Sequence, residues 1–506
     1  MKKAIGIRVA AVALAGVLAL SGCASQSSPE SSEPTKDDLQ LSVQAPTADL
    51  SVGNFGGGDT TIYFAVYDRL VVQDLDGALV PSAAESWEYS EDNTVLTFKI
   101  REGQTFSNGE DLDADAVVAS IEAQRVGPAS SAQLASIASV EAPDASTVVI
   151  TLAQPDGALI WQLAGSNGAI SAPGVLAEES AKLEPIGSGP YVLDPDAGTV
   201  GSVYELTRNP DHWNAEAYPF ETVTITVIAD PTAVQNAMKT GQLDFANLTS
   251  PDLATQFPES DFTTGEAKPT AVGGLFIVDR EGLVVPALAD VRVRQALNIA
   301  IDRNTIAEKL TPGVGAATAQ MASPAGDAYD AALNDIYEYN VDTAKELMAD
   351  AGFADGFSLT MPSTVLSQTF DATIAQQLAD IGITVNYETV PFQDLYAKLY
   401  AGAYGMFWFY NGYGGSDAKD MNQILSGAVN PQATMTPELE GLLDAANAAP
   451  LDEQGQAFGA VNAYYVNEAW FAPVNAATGL WVASNTITYT PPVVYGGSLL
   501  AWQPAE

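Results

Sequence analysis

The hydrophobic period changes repeatedly between Ser358 and Tyr410, and this narrows the fold more than any other feature of the chain. A strand-like run from Ser358 is followed by a helical stretch at about Asp371 to Asp380, an alternating run from Ile383 to Val390, a second helical stretch from Phe392 to Ala401 and a strand from Met406 to Tyr410. Earlier segments read the same way. Thr94 to Ile100 puts Leu96, Phe98 and Ile100 on one face, and Thr222 to Ile228 sets Val223, Ile225 and Val227 against threonines. Asp230-Pro231 then supplies an N-cap and a first-position proline for a helix whose inward residues are Ala233, Val234, Ala237 and Met238, with Gly241 as its stop. Leu243-Asp244-Phe245 is the expected returning strand, which makes a β-α-β unit. Asp290 caps a helix with the stripe Val293, Leu297, Ala300 and Ile301, and Asp342 begins another with Ala344, Leu347, Met348 and Ala351 inward and Gly352 at its end. Alternation of this kind predicts an α/β fold with a largely parallel sheet.

The N-terminus sets the compartment. Lys2, Lys3 and Arg8 precede an apolar stretch from Val9 to Leu20, too short to span a bilayer, and Leu20-Ser21-Gly22-Cys23 follows. This is the pattern of a secretory signal over residues 1–22, and Leu-Ser-Gly-Cys resembles the bacterial lipobox, in which Cys23 becomes the acylated first residue. Two or more acyl chains anchor stably where one does so marginally. Residues 23–37, rich in Ser, Pro, Glu and Thr, read as a tether; fifteen such residues reach on the order of 20 Å. Cys23 is the single cysteine, so no disulfide can form within the chain and no thiol remains for catalysis. Removing residues 1–22 takes away three positive charges and no acidic ones, which moves the net charge from −43 to −46. Such a surface repels nucleic acid and anionic lipid. The remaining roughly 470 residues exceed one hydrophobic core and call for two or three domains.

The residues that carry chemistry exclude more than they assign. His212 is the sole histidine; with the cysteine lipidated, a metal site built on histidine or thiolate is disfavoured, and His212 reads as structural or surface. There is no Gly-x-Ser-x-Gly elbow, phosphate loop or dinucleotide fingerprint, and no cofactor is expected. Gly56-Gly57-Gly58-Asp59 lacks the lysine of a phosphate loop and reads as a ligand-side loop or a plain turn. With 63 acidic residues, carboxylate pairs of the kind glycosidases use carry no information. Phe407, Trp408, Phe409, Tyr410 and Tyr413 are followed by Gly414-Gly415-Ser416-Asp417. Alternation sends about half of these rings into a core. Either all are core and turn residues, or Trp408, Tyr410 and Tyr413 line a cleft in which the Gly414-Gly415 turn offers backbone groups and Asp417 a charge.

Several ordered motifs together resemble the bacterial extracellular solute-binding proteins of the peptide and nickel class, family 5. They are Tyr67-Asp68-Arg69-Leu70-Val71, Ala84-Glu85-Ser86-Trp87-Glu88, Thr97 to Phe106 with Asn108-Gly109, Asp115 to Ser120, Gly187-Ser188-Gly189-Pro190-Tyr191, Arg208 to Trp213, Val291 to Leu297 with Ala300-Ile301-Asp302-Arg303, and Ala344-Lys345-Glu346-Leu347 with Ala351-Gly352-Phe353. Ser107 stands where relatives usually have His, and His212 where Tyr or His is common. The resemblance implies a two-lobed periplasmic-binding-protein-like fold of class II with an additional third domain and the ligand cleft between the lobes. Lobe I would take residues 38–62, 186–285 and 477–506, the extra domain 63–185, and lobe II 286–476. It further implies a monomer without enzymatic activity, lipid-anchored on the outer face of the cell membrane, that delivers a short peptide to an ABC permease and its ATPase subunits. Oligosaccharide and opine ligands, a hydrolase on the same scaffold and a sensory receptor are the other readings. In peptide-binding relatives a carboxylate after the aromatic strand holds the α-ammonium in the pattern Asp, two residues, then Asp or Glu and usually Pro. Alignment on Asn422-Gln423-Ile424-Leu425 puts Asp417 at that position and Asp420 at the second acid, with Met421 in place of proline. Asn54 and Phe55, leading into the glycine run, join Asp417, Tyr413, Trp408, Tyr410 and Gly415 as expected ligand contacts.

Overall fold

Val223 and Ile225 alternate with threonines because the Thr222–Val227 strand buries one face, and it pairs in parallel with Asp38–Val43. Val203–Arg208 and Tyr191–Thr199 extend the same sheet antiparallel. The computed structural model describes residues 36–505 apart from 48, 56–59, 200, 426 and 495–497, and omits the side chain at 393. Cys23, the signal segment, nearly all of the tether and the glycine run at 56–59 lie outside the described residues.

The Pro231–Lys239 helix begins as its sequence dictates. Asp230 Oδ1 accepts from Thr232 N at 2.7 Å and Ala233 N at 3.3 Å, and Pro231 gives up an N–H that would have no partner. Ala237 and Met238 are buried, whereas Ala233 is exposed and Val234 half-buried. The returning strand is Phe245–Leu248, and it joins a different sheet from Thr222–Val227. That second sheet runs Phe245–Leu248, Phe471–Ser484, Phe262–Ile277, Met406–Gly412, all antiparallel. Among the described residues, parallel pairing is confined to 38–43 with 222–227 and 357–363 with 383–389. The expected largely parallel sheet is therefore corrected to mixed and mostly antiparallel sheets. Local periodicity fixes what each segment becomes, but the strands of the second sheet find partners more than a hundred residues away.

Helix Val291–Ile299 starts at Asp290, which accepts from Arg292 N at 2.9 Å, and Val293, Leu297, Ala300 and Ile301 are fully buried. The helix expected from Asp342 is Val341–Asp350, beginning one residue earlier and capped by Asn340. A separate antiparallel sheet, Ala84–Tyr89, Val95–Ile100, Thr147–Leu152 and Ile137–Asp144, encloses its own apolar core with residues between 70 and 172. Asn93 Nδ2 donates to Ala448 O at 3.0 Å, which brings this sheet's rim against the chain's second half.

Most family motifs prove to be joints. Asp68 accepts from Ser82 and Ser188 hydroxyls and lies 3.3 Å from His212 Nε2. Asn214 N donates to His212 Nδ1 at 3.2 Å, so Nε2 carries the proton given to Asp68. A Cβ on Gly187 would fall 2.0 Å from Val66 O, which is why glycine stands there. Buried Arg303 donates to Pro473 O, Thr318 O and Asn298, and Arg294 to Glu468 O and Leu288 O, fastening the start of the Phe471–Ser484 strand.

Candidate ligand site

A cavity of about 560 Å³ opens at the carboxyl ends of Asp38–Val43, Thr222–Val227 and Phe245–Leu248. Gln44, Ala229 and Thr249, each one or two residues beyond those strands, line it together with Ala267 and Thr270 of Phe262–Ile277 and Gly479 of Phe471–Ser484. Strand ends are where α/β sheets leave ligand crevices, because the chain turns away there and exposes backbone groups. The volume falls in the range of small-molecule sites.

The turn after the aromatic strand closes against this cavity. Tyr413 N donates to Thr270 O at 2.6 Å, and Thr270 is part of the lining. Gly415 has φ +85, and a Cβ there would lie 2.6 Å from Val494 Cγ1 and 1.6 Å from Gln73 Nε2; Val494 also lines the cavity. Ser416 caps the short helix Asp417–Gln423. Asp417 is 4% exposed, and its Oδ2 accepts from Asp327 N at 2.8 Å and Ala328 N at 3.0 Å. Its Oδ1 covers Gly326, where a Cβ would come within 2.3 Å. Burial pushes the Asp417 carboxyl up to about 6, against the pull of those two N–H groups. Asp420 accepts from Gly414 N at 3.0 Å and is also raised by burial, opposed by neighbouring Lys419, itself lowered by burial. Burial raises the Tyr413 hydroxyl strongly, and Asp417, Asp420 and Asp327 add to the effect.

The expected contacts separate on inspection. Trp408 is 2% exposed and stacks on Phe370 at 4.1 Å within an apolar core, so it does not face the cavity. Phe55 stacks on Tyr63 at 4.1 Å in another core. Both are corrected to core residues; alternation in a strand and the apolar approach to a helix put them inside. Tyr410, half-buried, packs over Gly273, whose Cβ would come within 2.4 Å of the ring. Asn54 is exposed and donates to Ser51 Oγ at 3.0 Å. Gly415 and Tyr413 border the lining without belonging to it. Missed from sequence were Gln44 and Thr249, each just past a strand end, and Asn247 within Phe245–Leu248. Among the described residues no group of three His, Cys, Asp or Glu is placed to hold a metal ion, and no helix is long and apolar enough to cross a membrane.

The model of the bacterial extracellular solute-binding proteins, family 5 middle region, matches residues 78–432. The chain belongs to this family. It is a solute-binding protein of an ABC transporter. A Brucella ovis protein that carries the provisional name of ABC transporter peptide-binding protein is 29% identical over 377 residues, 68% of each chain. The glutathione-binding protein GsiB of Escherichia coli is 29% identical over 326 residues, 63% of this family 5 chain and 62% of its own. The periplasmic binding protein DppA of Helicobacter pylori, solved with the peptide STSA, superimposes with a TM-score of 0.79 at 18% identity, covering 93% of this chain and 99% of that one. That likeness shows the fold, the two-lobed architecture expected from the sequence motifs.

Proposed function

We propose that this family 5 protein captures a short peptide between its lobes and presents it unaltered to an ABC permease and its ATPase subunits. The observation that carries this is the cavity at the strand ends of lobe I, bordered by the Tyr413 to Gly415 turn of lobe II. Lobe I would comprise residues 38–62, 186–285 and 477–506, the extra domain 63–185 and lobe II 286–476. The relatives named for peptide and glutathione binding, and the peptide in the Helicobacter pylori structure, support a peptide-like ligand. In this reading Asp417 acts through its field and not by direct pairing, because the side chain is buried and its Oδ2 already accepts from two backbone N–H groups. With Asp327 it makes the Tyr413 side of the cleft attractive to an α-ammonium, for which the tyrosine ring is also a favourable face. Native mass spectrometry of freshly purified protein should reveal a co-purified short peptide whose mass stays constant on incubation. A sugar or opine in its place, or a cleaved product, overturns the proposal.

The anchor belongs to the same reading. Cys23 is acylated after removal of residues 1–22, and the tether lets the body move above its permease. Cys23→Ser should move the protein from the membrane to the soluble fraction; retention as firm as wild type would place the anchor elsewhere.

A further inference from the structure

The cavity wall differs from the rest of this molecule in charge. Lys, Arg, Asp and Glu make up 16% of the chain, so about one lining residue in six would carry a charge if composition alone decided. Among the described residues that line the cavity there is no Asp, Glu, Lys, Arg or His. Its polar groups are amides and hydroxyls such as Gln44, Gln235, Asn247 and Thr249, set among Phe245, Leu253 and Val494. Burial raises the lining Tyr489 hydroxyl to about 12, which leaves it neutral at any physiological pH. A charged group entering this space gives up water and finds no countercharge among the described lining residues, whereas an apolar group gains by leaving water. Across the cleft the situation is reversed, with Asp417, Asp420 and Asp327 gathered around Tyr413.

We infer that the lobe I cavity seats an uncharged, apolar portion of the ligand, so that this protein selects peptides with aliphatic or aromatic side chains and rejects acidic and basic ones at that seat. The inference rests on the peptide reading above and adds the side-chain class. A net charge of −43 adds long-range repulsion against acidic peptides, so these are disfavoured more than basic ones.

Calorimetry with trivaline, trilysine and triglutamate at physiological salt tests this whichever residue of the tripeptide occupies the seat. Trivaline should bind at least about 30-fold more tightly than either charged tripeptide. Asn247→Asp places a carboxylate in the wall with almost no change of shape, at an exposed position of its strand; it should narrow the gap between trivaline and trilysine about tenfold or more. Equal binding of the three, tighter binding of a charged one, or an unchanged ranking in Asn247→Asp overturns the inference while leaving peptide capture intact. Binding of none of the three overturns the peptide reading, and this inference with it.

Discussion

The two walls of the cleft are built on opposite plans. Among the described residues the cavity wall is neutral; it is built at the carboxyl ends of three strands, and its lining holds amides and hydroxyls beside apolar side chains. The turn after the aromatic strand packs three carboxylates, a lysine and a tyrosine into a small space, yet two of its acids are engaged by the protein's own N–H groups: Asp417 by Asp327 and Ala328, Asp420 by Gly414. The buried Asp68 and His212 pair, 144 residues apart in sequence, repeats the second plan. Buried charge in this molecule serves first to fasten loops, and the surface left for the ligand is the uncharged one. Changes in the turn should therefore be read in stability, and changes in the wall in affinity.

The sharpest separation comes from Asp417→Ala, which takes the acceptor from the backbone N–H groups of Asp327 and Ala328, the second of them buried. It should lower stability by about 2–4 kcal/mol in chemical denaturation. A change below about 0.5 kcal/mol would show that the turn does not depend on this carboxylate. A smaller effect lies in pH. Burial lifts Asp417 from 3.8 to about 6, so between those values the folded chain holds a proton that the unfolded chain releases. The stability this proton contributes is complete below about pH 4 and disappears as pH rises through 6. Asp417→Asn keeps an acceptor and cannot ionise; relative to wild type it should gain about 1–3 kcal/mol between pH 4.5 and 7. Since Asp420, Asp327 and Lys419 remain in both proteins, a difference that stays flat across that range would remove the buried charge from the account.

What could be read from the sequence follows the same division. Asp230 and Asp290 as caps, the Val223 and Ile225 face, and the ordered motifs of family 5 are local features, and local features determine element type. Sheet membership was not legible, because Phe262–Ile277 finds its partners at 406–412 and 471–484 through long-range packing. The aromatic and acidic run at 407–420 stood out by composition, and Trp408 proved to be core because its face of the strand packs against Phe370 of the Gln368–Ala379 helix. Asn247 and Thr249 gave no signal, since a neutral residue at or beyond a strand's end becomes informative only when topology brings three strand ends together.

Gly415 joins the two plans and gives the smallest expected effect. Its φ of +85 disfavours any side chain, and left-handed backbone costs an alanine about 1–2 kcal/mol. Strain alone would act on the free and bound protein alike. The Cβ of Gly415→Ala would in addition meet Val494 Cγ1 at 2.6 Å, and Val494 belongs to the cavity wall, so this overlap exists where the turn lies against that wall. Gln73 Nε2, nearer still at 1.6 Å, ends a flexible side chain and can move aside more cheaply. Gly402 supplies the control: its φ is +68 and a Cβ added there would meet nothing within 4 Å, so that Gly402→Ala carries strain without overlap. Both variants should lose similar stability, and Gly415→Ala alone should weaken the co-purifying ligand about tenfold by calorimetry, equivalent to about 1.4 kcal/mol. Equal affinity losses in the two would mean that the turn touches the wall without governing closure over the ligand.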